Sequence, residues 1–204
     1  MTSSTNQNSK RIGVDIDGVI RNLYVPLVSY FDLYHHDIDI DPISEWTNYK
    51  IWNHFRRKGK PVDEKWFKNI WFKREARSIY LDHAYPYPYA AESLHYIKSM
   101  GHKIILISAQ PNRLTMGLTM QWISKKSIPF DEIHFTDYSS KAKVSCDIYI
   151  EDSPHQLSEL AMANKVVFIY DQPWNRNAPA ANRFHSWPDI VYEIKEEVEY
   201  DIHC

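Results

Sequence analysis

An α/β protein, with a parallel β-sheet flanked by helices and a small helical cap inserted after the first strand, is the fold this sequence predicts. Three observations carry that expectation. The apolar run Arg11-Ile-Gly-Val leads straight into Asp15-Ile-Asp-Gly18, which puts two carboxylates at the carboxyl end of a buried strand, where open α/β sheets build their sites. From residue 90 onward apolar strands alternate with amphipathic helices, the rhythm of βα units joined by right-handed crossovers. Between these regions lies an aromatic stretch with helical spacing and no good strand.

The elements follow in order. Side chains of a strand repeat every two residues, so Asp15 and Asp17 share a face, and Gly18 lets the backbone turn sharply beyond them. Two carboxylates at a sheet edge are costly to leave unpaired, so a cation or a shifted pKa is implied; an Asx-type turn would use one aspartate and leave the other unexplained. Leu27, Phe31 and Tyr34 then mark a helical stripe, and Trp66, Phe67, Ile70 and Trp71 repeat the spacing. Trp46, Trp52, Trp66 and Trp71, four of the seven tryptophans, fall in this segment. Tyr85-Pro-Tyr-Pro-Tyr89 is a stiff return, because each proline fixes its own φ and pushes its predecessor toward extended geometry. A helix carrying Ala90, Leu94 and Ile97, a strand over 103–107 and a helix carrying Leu114, Leu118 and Trp122 come next. Strands near 132–135 and 147–150, a helix from Pro154, a strand over 166–170 and a last helix beyond Trp187, with Pro188 in its first turn, complete the pattern.

At 204 residues the chain can bury roughly 70% of its unfolded surface, enough for one catalytic core with a sizeable insertion. The division expected is a disordered polar tail at 1–10, a core formed by 11–22 and 82–204, and the cap at 23–81. With 44% hydrophobic and 14% aromatic residues and only five glycines, the chain is neither disordered nor repetitive. No apolar run is long enough to cross a bilayer and the polar start lacks a signal segment, so a cytoplasmic protein with no membrane partner is expected. Cys146 and Cys204 offer neither ligand spacing nor a disulfide framework and read as free thiols. The net charge of −2 argues against general nucleic-acid binding, but the charge is unevenly spread. Arg56, Arg57, Lys58, Lys60, Lys65, Lys68, Lys73, Arg74 and Arg77 face only Asp63, Glu64 and Glu75 within 56–77, with the acidic counterweight at 193–201.

Parallel-sheet geometry would gather Asp15, Asp17, Ser108, Lys141, Glu151 and Asp152 at one edge. Each has a plainer reading alone: a hydroxyl ending a strand for Ser108, a loop lysine for Lys141 in competition with Lys143, and an N-cap at Ser153 before Pro154 for the acidic pair. Together they supply what phosphoryl transfer through an aspartate needs. That is a carboxylate nucleophile, a cation and a lysine to neutralise the phosphate, a hydroxyl to orient it and an acid for the leaving oxygen. Hard oxygen donors suit Mg2+, and no histidine or cysteine cluster points to zinc. His83, His102, His134 and His155 flank core elements and read as structural.

These residues resemble the four motifs of the haloacid dehalogenase (HAD) superfamily of phosphohydrolases, over about two-thirds of the chain: Asp15-Ile-Asp-Gly-Val, Ser108, Lys141 and Glu151-Asp152. The resemblance implies a Rossmann-like core, Asp15 as the nucleophile that becomes an aspartyl phosphate, and Asp17 as general acid and base whose backbone carbonyl also binds Mg2+. Ser108, Lys141 and Gly18 would bind the phosphate, and Asp152 with Glu151 would complete the metal site. Within the superfamily the chain is most similar to the 5'(3')-deoxyribonucleotidases. The shared features are Lys141 six residues before Asp147 and ahead of Tyr-Ile-Glu-Asp-Ser-Pro154, Tyr80-Leu-Asp followed by Pro86 and Pro88, and Asp171-Gln-Pro-Trp-Asn-Arg176. It departs from that pattern where Ala109 follows Ser108 in place of a tandem hydroxyl, and where Glu151 stands for a second aspartate.

Asp17 separates a phosphatase from a dehalogenase, because displacing a halide needs neither a metal nor an acid for an alkoxide. The expected reaction is therefore Mg2+-dependent hydrolysis of a small phosphate monoester, which the resemblance implies is a 5'- or 3'-deoxyribonucleotide, with cap aromatics able to stack a base. Two alternatives stand beside it. One is a polynucleotide 3'-phosphatase using the basic cap, and the other a non-catalytic binding module on the same fold. Homodimer formation is left open.

Overall fold

The computed structural model describes residues 9–110, 112–136, 141–179 and 182–203. Its sheet grows from the centre: β1 (Arg11–Val14) pairs in parallel with a strand on either side. A short β2 (Arg21–Asn22), helix α1 (Tyr24–Tyr34) and strands β3 (Ile38–Ile40), β4 (Phe55–Arg57) and β5 (Lys60–Pro61) follow. Helices α2 (Glu64–Trp71) and α3 (Arg74–Asp82) lead to β6 (Tyr85–Pro86), which pairs back onto β2. The alternating part comprises α4 (Ala90–Ser99), β7 (Lys103–Ala109), α5 (Arg113–Lys125), β8 (Glu132–Thr136), β9 (Ile148–Glu151), α6 (Pro154–Met162), β10 (Val166–Tyr170), β11 (Arg183–Phe184) and α7 (Trp187–His203).

The six-stranded sheet runs β11-β10-β9-β1-β7-β8 with every neighbouring pair parallel. From β1 the chain winds outward through β7 and β8, then returns to lay down β9, β10 and β11 on the other side. The switch in winding falls beside β1, where an open sheet leaves a crevice past its strand ends. Val14 lies opposite both Leu106 and Ile150, so Asp15, Ser108 and Glu151 arrive at the same edge. Both faces are covered: Ile104 and Leu106 join the cluster under Trp122 and Trp187, while Ile105 and Ile107 pack with Tyr149 and Leu160 on the other side. Burial on two faces is why these strands read as continuous apolar runs rather than alternating ones.

The segment between β2 and β6 has a core of its own, built on Leu27, Phe31, Trp46, Phe55, Phe67 and Ile70. Phe31 stacks on Phe67 with ring centroids 5.6 Å apart. This segment corrects the expectation of a purely helical insertion, because β3, β4 and β5 form a three-stranded antiparallel sheet within it. The strands are two or three residues long, too short for a period to register. Their turn does carry a signal: Lys58 and Gly59 both have positive φ (50° and 74°), the two-residue hairpin geometry that favours glycine. Tyr34 is 57% exposed and does not share the buried stripe, which α1 builds from Tyr24, Leu27 and Phe31.

Residues 1–8 of the expected tail, and Cys204, lie outside the described residues. Ser9 and Lys10 are tied down, since Ser9 Oγ donates to the Gly101 carbonyl (2.7 Å) and the Lys10 N–H to His102 Nδ1 (3.2 Å). Cys146 is a buried free thiol whose pKa burial pushes up to about 11. Among the described residues no helix is long and apolar enough to cross a membrane.

Candidate active site

Asp15 is the first residue past β1, and its N–H still donates to the Ile150 carbonyl (3.0 Å), which fixes where its carboxylate emerges. Lys141 Nζ reaches Asp15 Oδ1 at 2.8 Å and Glu151 Oε2 at 2.6 Å, with all three side chains buried. Lys141 opens a single 3-10 turn ahead of β9, whereas Lys143 points to solvent. Burial disfavours the Lys141 ammonium, but Asp15 and Glu151 more than offset it and hold its pKa above the ordinary lysine value. The other oxygen of Glu151 accepts the Ser153 N–H (3.0 Å). Ser153 occupies the N-cap position of α6, yet its side chain makes no capping bond, so its contribution is this amide.

Asp152 is fully buried. Its Oδ2 accepts the Trp174 indole N–H (2.9 Å), while Oδ1 has no hydrogen-bond partner. Burial first, then the charges of Glu151 and Asp15, push its carboxyl well above the usual carboxylate range; burial and Glu151 likewise raise Asp15. Carboxylate oxygens of Asp15, Glu151 and Asp152 lie within 4.8 Å of one another. An orphaned buried oxygen among crowded acids is what a cation would satisfy, and an all-oxygen donor set fits a hard ion such as Mg2+. The residues therefore fit the metal that the sequence implies.

Gly18 enters this group by close approach. Its φ is +89°, and a Cβ there would stand 2.2 Å from Asp152 Oδ2. Its N–H donates to the Arg21 carbonyl (3.0 Å), a bond that closes the turn. Gln172 Nε2 donates to the Gly18 carbonyl (2.7 Å) and Asn175 Nδ2 to the Asp152 carbonyl (2.9 Å), so the Asp171–Arg176 region supports the acidic pair from outside the four motifs.

The carboxylate of Asp17 is held differently. Oδ1 accepts from Arg21 Nε (2.6 Å) and Oδ2 from Gln110 Nε2 (3.2 Å), and Gln110 also donates to Ser108 Oγ (2.9 Å). Burial opposes its charge, but Arg21 and Arg77 outweigh burial and keep the Asp17 pKa below the usual range. Asp15, Asp17, Ser108 and Lys141 open into one cavity of about 200 Å³, together with Tyr24, Tyr49, Trp71, Arg77 and His155. A second cavity of about 330 Å³ shares Tyr24, Tyr49 and Trp71 and adds Trp52, Phe67 and Phe72.

The structure thus brings together the sequence-predicted residues and adds Gln110, Arg21, Arg77 and Trp174, which sequence reasoning missed. Of the histidines read as structural, His102 is buried and bonded, His134 pairs with Glu132, and His155 pairs with Glu159 but also lines the cavity. Of the nine basic residues in 56–77, Arg56 pairs with Asp41, Arg57 with Asp37 and Lys68 with Glu64, Arg77 is buried, and Lys58, Lys60, Lys65, Lys73 and Arg74 are exposed.

Residues 8–197 match the family model described as 5' nucleotidase, deoxy (pyrimidine), cytosolic type C protein (NT5C). A protein of Oceanobacillus iheyensis, named as a candidate nucleotidase, is 26% identical over 193 residues, covering 89% of this chain and 97% of its own. A protein of Chlorobaculum tepidum, named as a candidate 5'(3')-deoxyribonucleotidase, is 25% identical over 207 residues, covering 95% and 94%. Among solved structures, a haloacid dehalogenase-like hydrolase of Streptococcus pneumoniae superposes with a TM-score of 0.60 at 14% identity, covering 91% of this chain and 98% of that one. A D,D-heptose 1,7-bisphosphate phosphatase of B. bronchiseptica, complexed with magnesium and phosphate, gives 0.52 at 11%, covering 92% and 99%. These structural likenesses establish the fold.

Proposed function

The chain belongs to the deoxy, cytosolic type C 5' nucleotidase family, and on that footing we propose that it is a Mg2+-dependent phosphatase of deoxynucleoside monophosphates working through a phosphorylated Asp15. The observation that supports this most is the meeting of Asp15, Lys141 and Asp152 at one sheet edge. In the reading proposed, an Asp15 oxygen attacks phosphorus, the ester P–O bond breaks, and the leaving oxygen takes a proton from Asp17. Water, losing a proton to Asp17, then attacks the acyl phosphate, releases inorganic phosphate and restores the Asp15 carboxylate. The Arg21 pair keeps Asp17 charged, the state this second half needs; loading a proton for the first half requires that pair to loosen.

Lys141 neutralises the phosphoryl oxygens and Ser108 donates to one of them, its orientation fixed by Gln110. Asp15, Asp152 and the Asp17 carbonyl would hold magnesium, with Glu151 beside them; bound there, the ion supplies screening between a carboxylate nucleophile and a phosphate dianion. The adjoining aromatic cavity takes the base, where stacking is worth about 1–3 kcal/mol. The cytoplasm is the proposed place of action, after the family's description.

A panel of phosphate monoesters assayed for phosphate release with Mg2+ tests this reading. It predicts deoxynucleoside monophosphates ahead of sugar phosphates and of 3'-phosphorylated oligonucleotides. Preference for sugar phosphates, or for oligonucleotides with a steep fall in added salt, overturns it, and no hydrolysis at all returns the chain to a binding role.

A further inference from the structure

Arg77, on α3, is the one cation of the catalytic cavity among the described residues that lacks a carboxylate held to it. Lys141 is committed to Asp15 and Glu151, and Arg21, just behind the cavity, to Asp17. Arg77 is 3% exposed, its Nε and Nη1 have no hydrogen-bond partner, and its Nη2 makes only a long 3.5 Å contact with Gln110 Oε1. Its guanidinium lies 5.6 Å from the Trp71 ring centroid and 5.2 Å from that of Phe72, so two aromatic walls orient it. A buried guanidinium with idle donors carries a standing desolvation cost, and cation–π contacts do not replace the lost hydrogen bonds. The planar fork of arginine matches paired phosphoryl oxygens. The cavity it lines is small, about 200 Å³, and already holds Ser108 and Lys141.

We propose that Arg77 is a phosphate-binding residue of this site, whose idle donors take nonbridging oxygens of the substrate's phosphoryl group from the side opposite the sheet. The inference rests on the phosphatase reading above, and it supplies a donor where Ala109 leaves the tandem hydroxyl missing. It also ties occupancy of the site to the segment that carries α3, because an arginine outside the sheet closes onto the same anion that Lys141 holds from within.

The test measures binding of inorganic phosphate in the presence of Mg2+, by calorimetry and by the thermal shift it induces, for wild type, Arg77→Met and Arg77→Lys. Turnover of a deoxynucleoside monophosphate is followed in parallel. Arg77→Met should weaken phosphate binding and raise KM roughly 10- to 100-fold, the range expected for charged hydrogen bonds. Arg77→Lys should recover part of that loss. Without phosphate the melting temperature of Arg77→Met should change little, since relief of the buried guanidinium's desolvation is set against the loss of its attraction to Asp17. Unchanged phosphate affinity in folded Arg77→Met overturns the proposal, as does a lower melting temperature accompanied by unaltered KM, which marks Arg77 as structural. A wild type that binds phosphate yet hydrolyses none of the panel refutes the phosphatase reading and leaves the role of Arg77 to be decided by affinity alone. If Arg77→Met does not fold, Arg77→Lys decides by the same affinity criterion.

Discussion

Lys141 Nζ sits 2.8 Å from Asp15 Oδ1, on a side chain only 4% exposed, and this pair joins the loop after β8 to the end of β1. Breaking a buried pair by removing one partner leaves an uncompensated charge, typically costing about 3–5 kcal/mol. Lys141→Met should therefore lose that order of stability in denaturant unfolding and lose turnover with it. Added Mg2+ should restore part of the stability, because a cation among Asp15, Glu151 and Asp152 meets the same excess of negative charge.

Gly18→Ala meets both a steric and a conformational obstacle, a Cβ 2.2 Å from Asp152 Oδ2 and a φ of +89°. The strain alone is worth about 1–3 kcal/mol. Because the clash is with the proposed metal ligand, the Mg2+ concentration that half-saturates activity should rise in Gly18→Ala. Chelation of divalent ions should silence the wild type, and titration of Mg2+ into both proteins reads the difference.

Gln110 links Asp17 to Ser108 through one amide nitrogen. Replacing it with leucine keeps the volume and removes the link. Losing a buried hydrogen bond of this kind costs about 1–3 kcal/mol, so kcat for Gln110→Leu should fall roughly 5- to 150-fold. KM should move less, because Ser108 and Lys141 remain.

His102 gives a pH dependence away from the site. Its Nδ1 accepts the Lys10 N–H and must be unprotonated to do so, and burial holds its pKa below the ordinary 6.5. The unfolded chain takes up a proton near 6.5 and the folded chain only at lower pH. The His102 contribution to stability is thus complete above that value and is lost as pH falls through the interval down to the folded pKa. Melting temperatures measured across this interval should fall less steeply for His102→Gln than for the wild type.

How far the sequence reveals all this depends on where each residue sits. Asp15, Ser108 and Asp152 lie at or just past the ends of apolar strands, so a one-dimensional reading can place them at one edge. Gln110, Arg21 and Arg77 take their meaning from neighbours in other elements. Arg21 reads as an ordinary residue after a turn until its burial against Asp17 and Trp122 is seen. Trp174 reads as another aromatic, yet it donates to Asp152 from the turn after β10. The small sheet of β3, β4 and β5 escaped periodicity for want of length, although Lys58-Gly59 announced its hairpin. Gly18 was legible as a glycine that the backbone needs, but the reason is the crowding of Asp152, which only the packed structure supplies.

The most direct measurement is phosphate release from a deoxynucleoside monophosphate by Asp15→Asn with saturating Mg2+, on protein whose circular dichroism matches the wild type. Release at background level, with the fold intact, is the result predicted for a nucleophile at position 15. Release near the wild-type rate would contradict it, because no other described carboxylate stands at the end of β1 against Lys141.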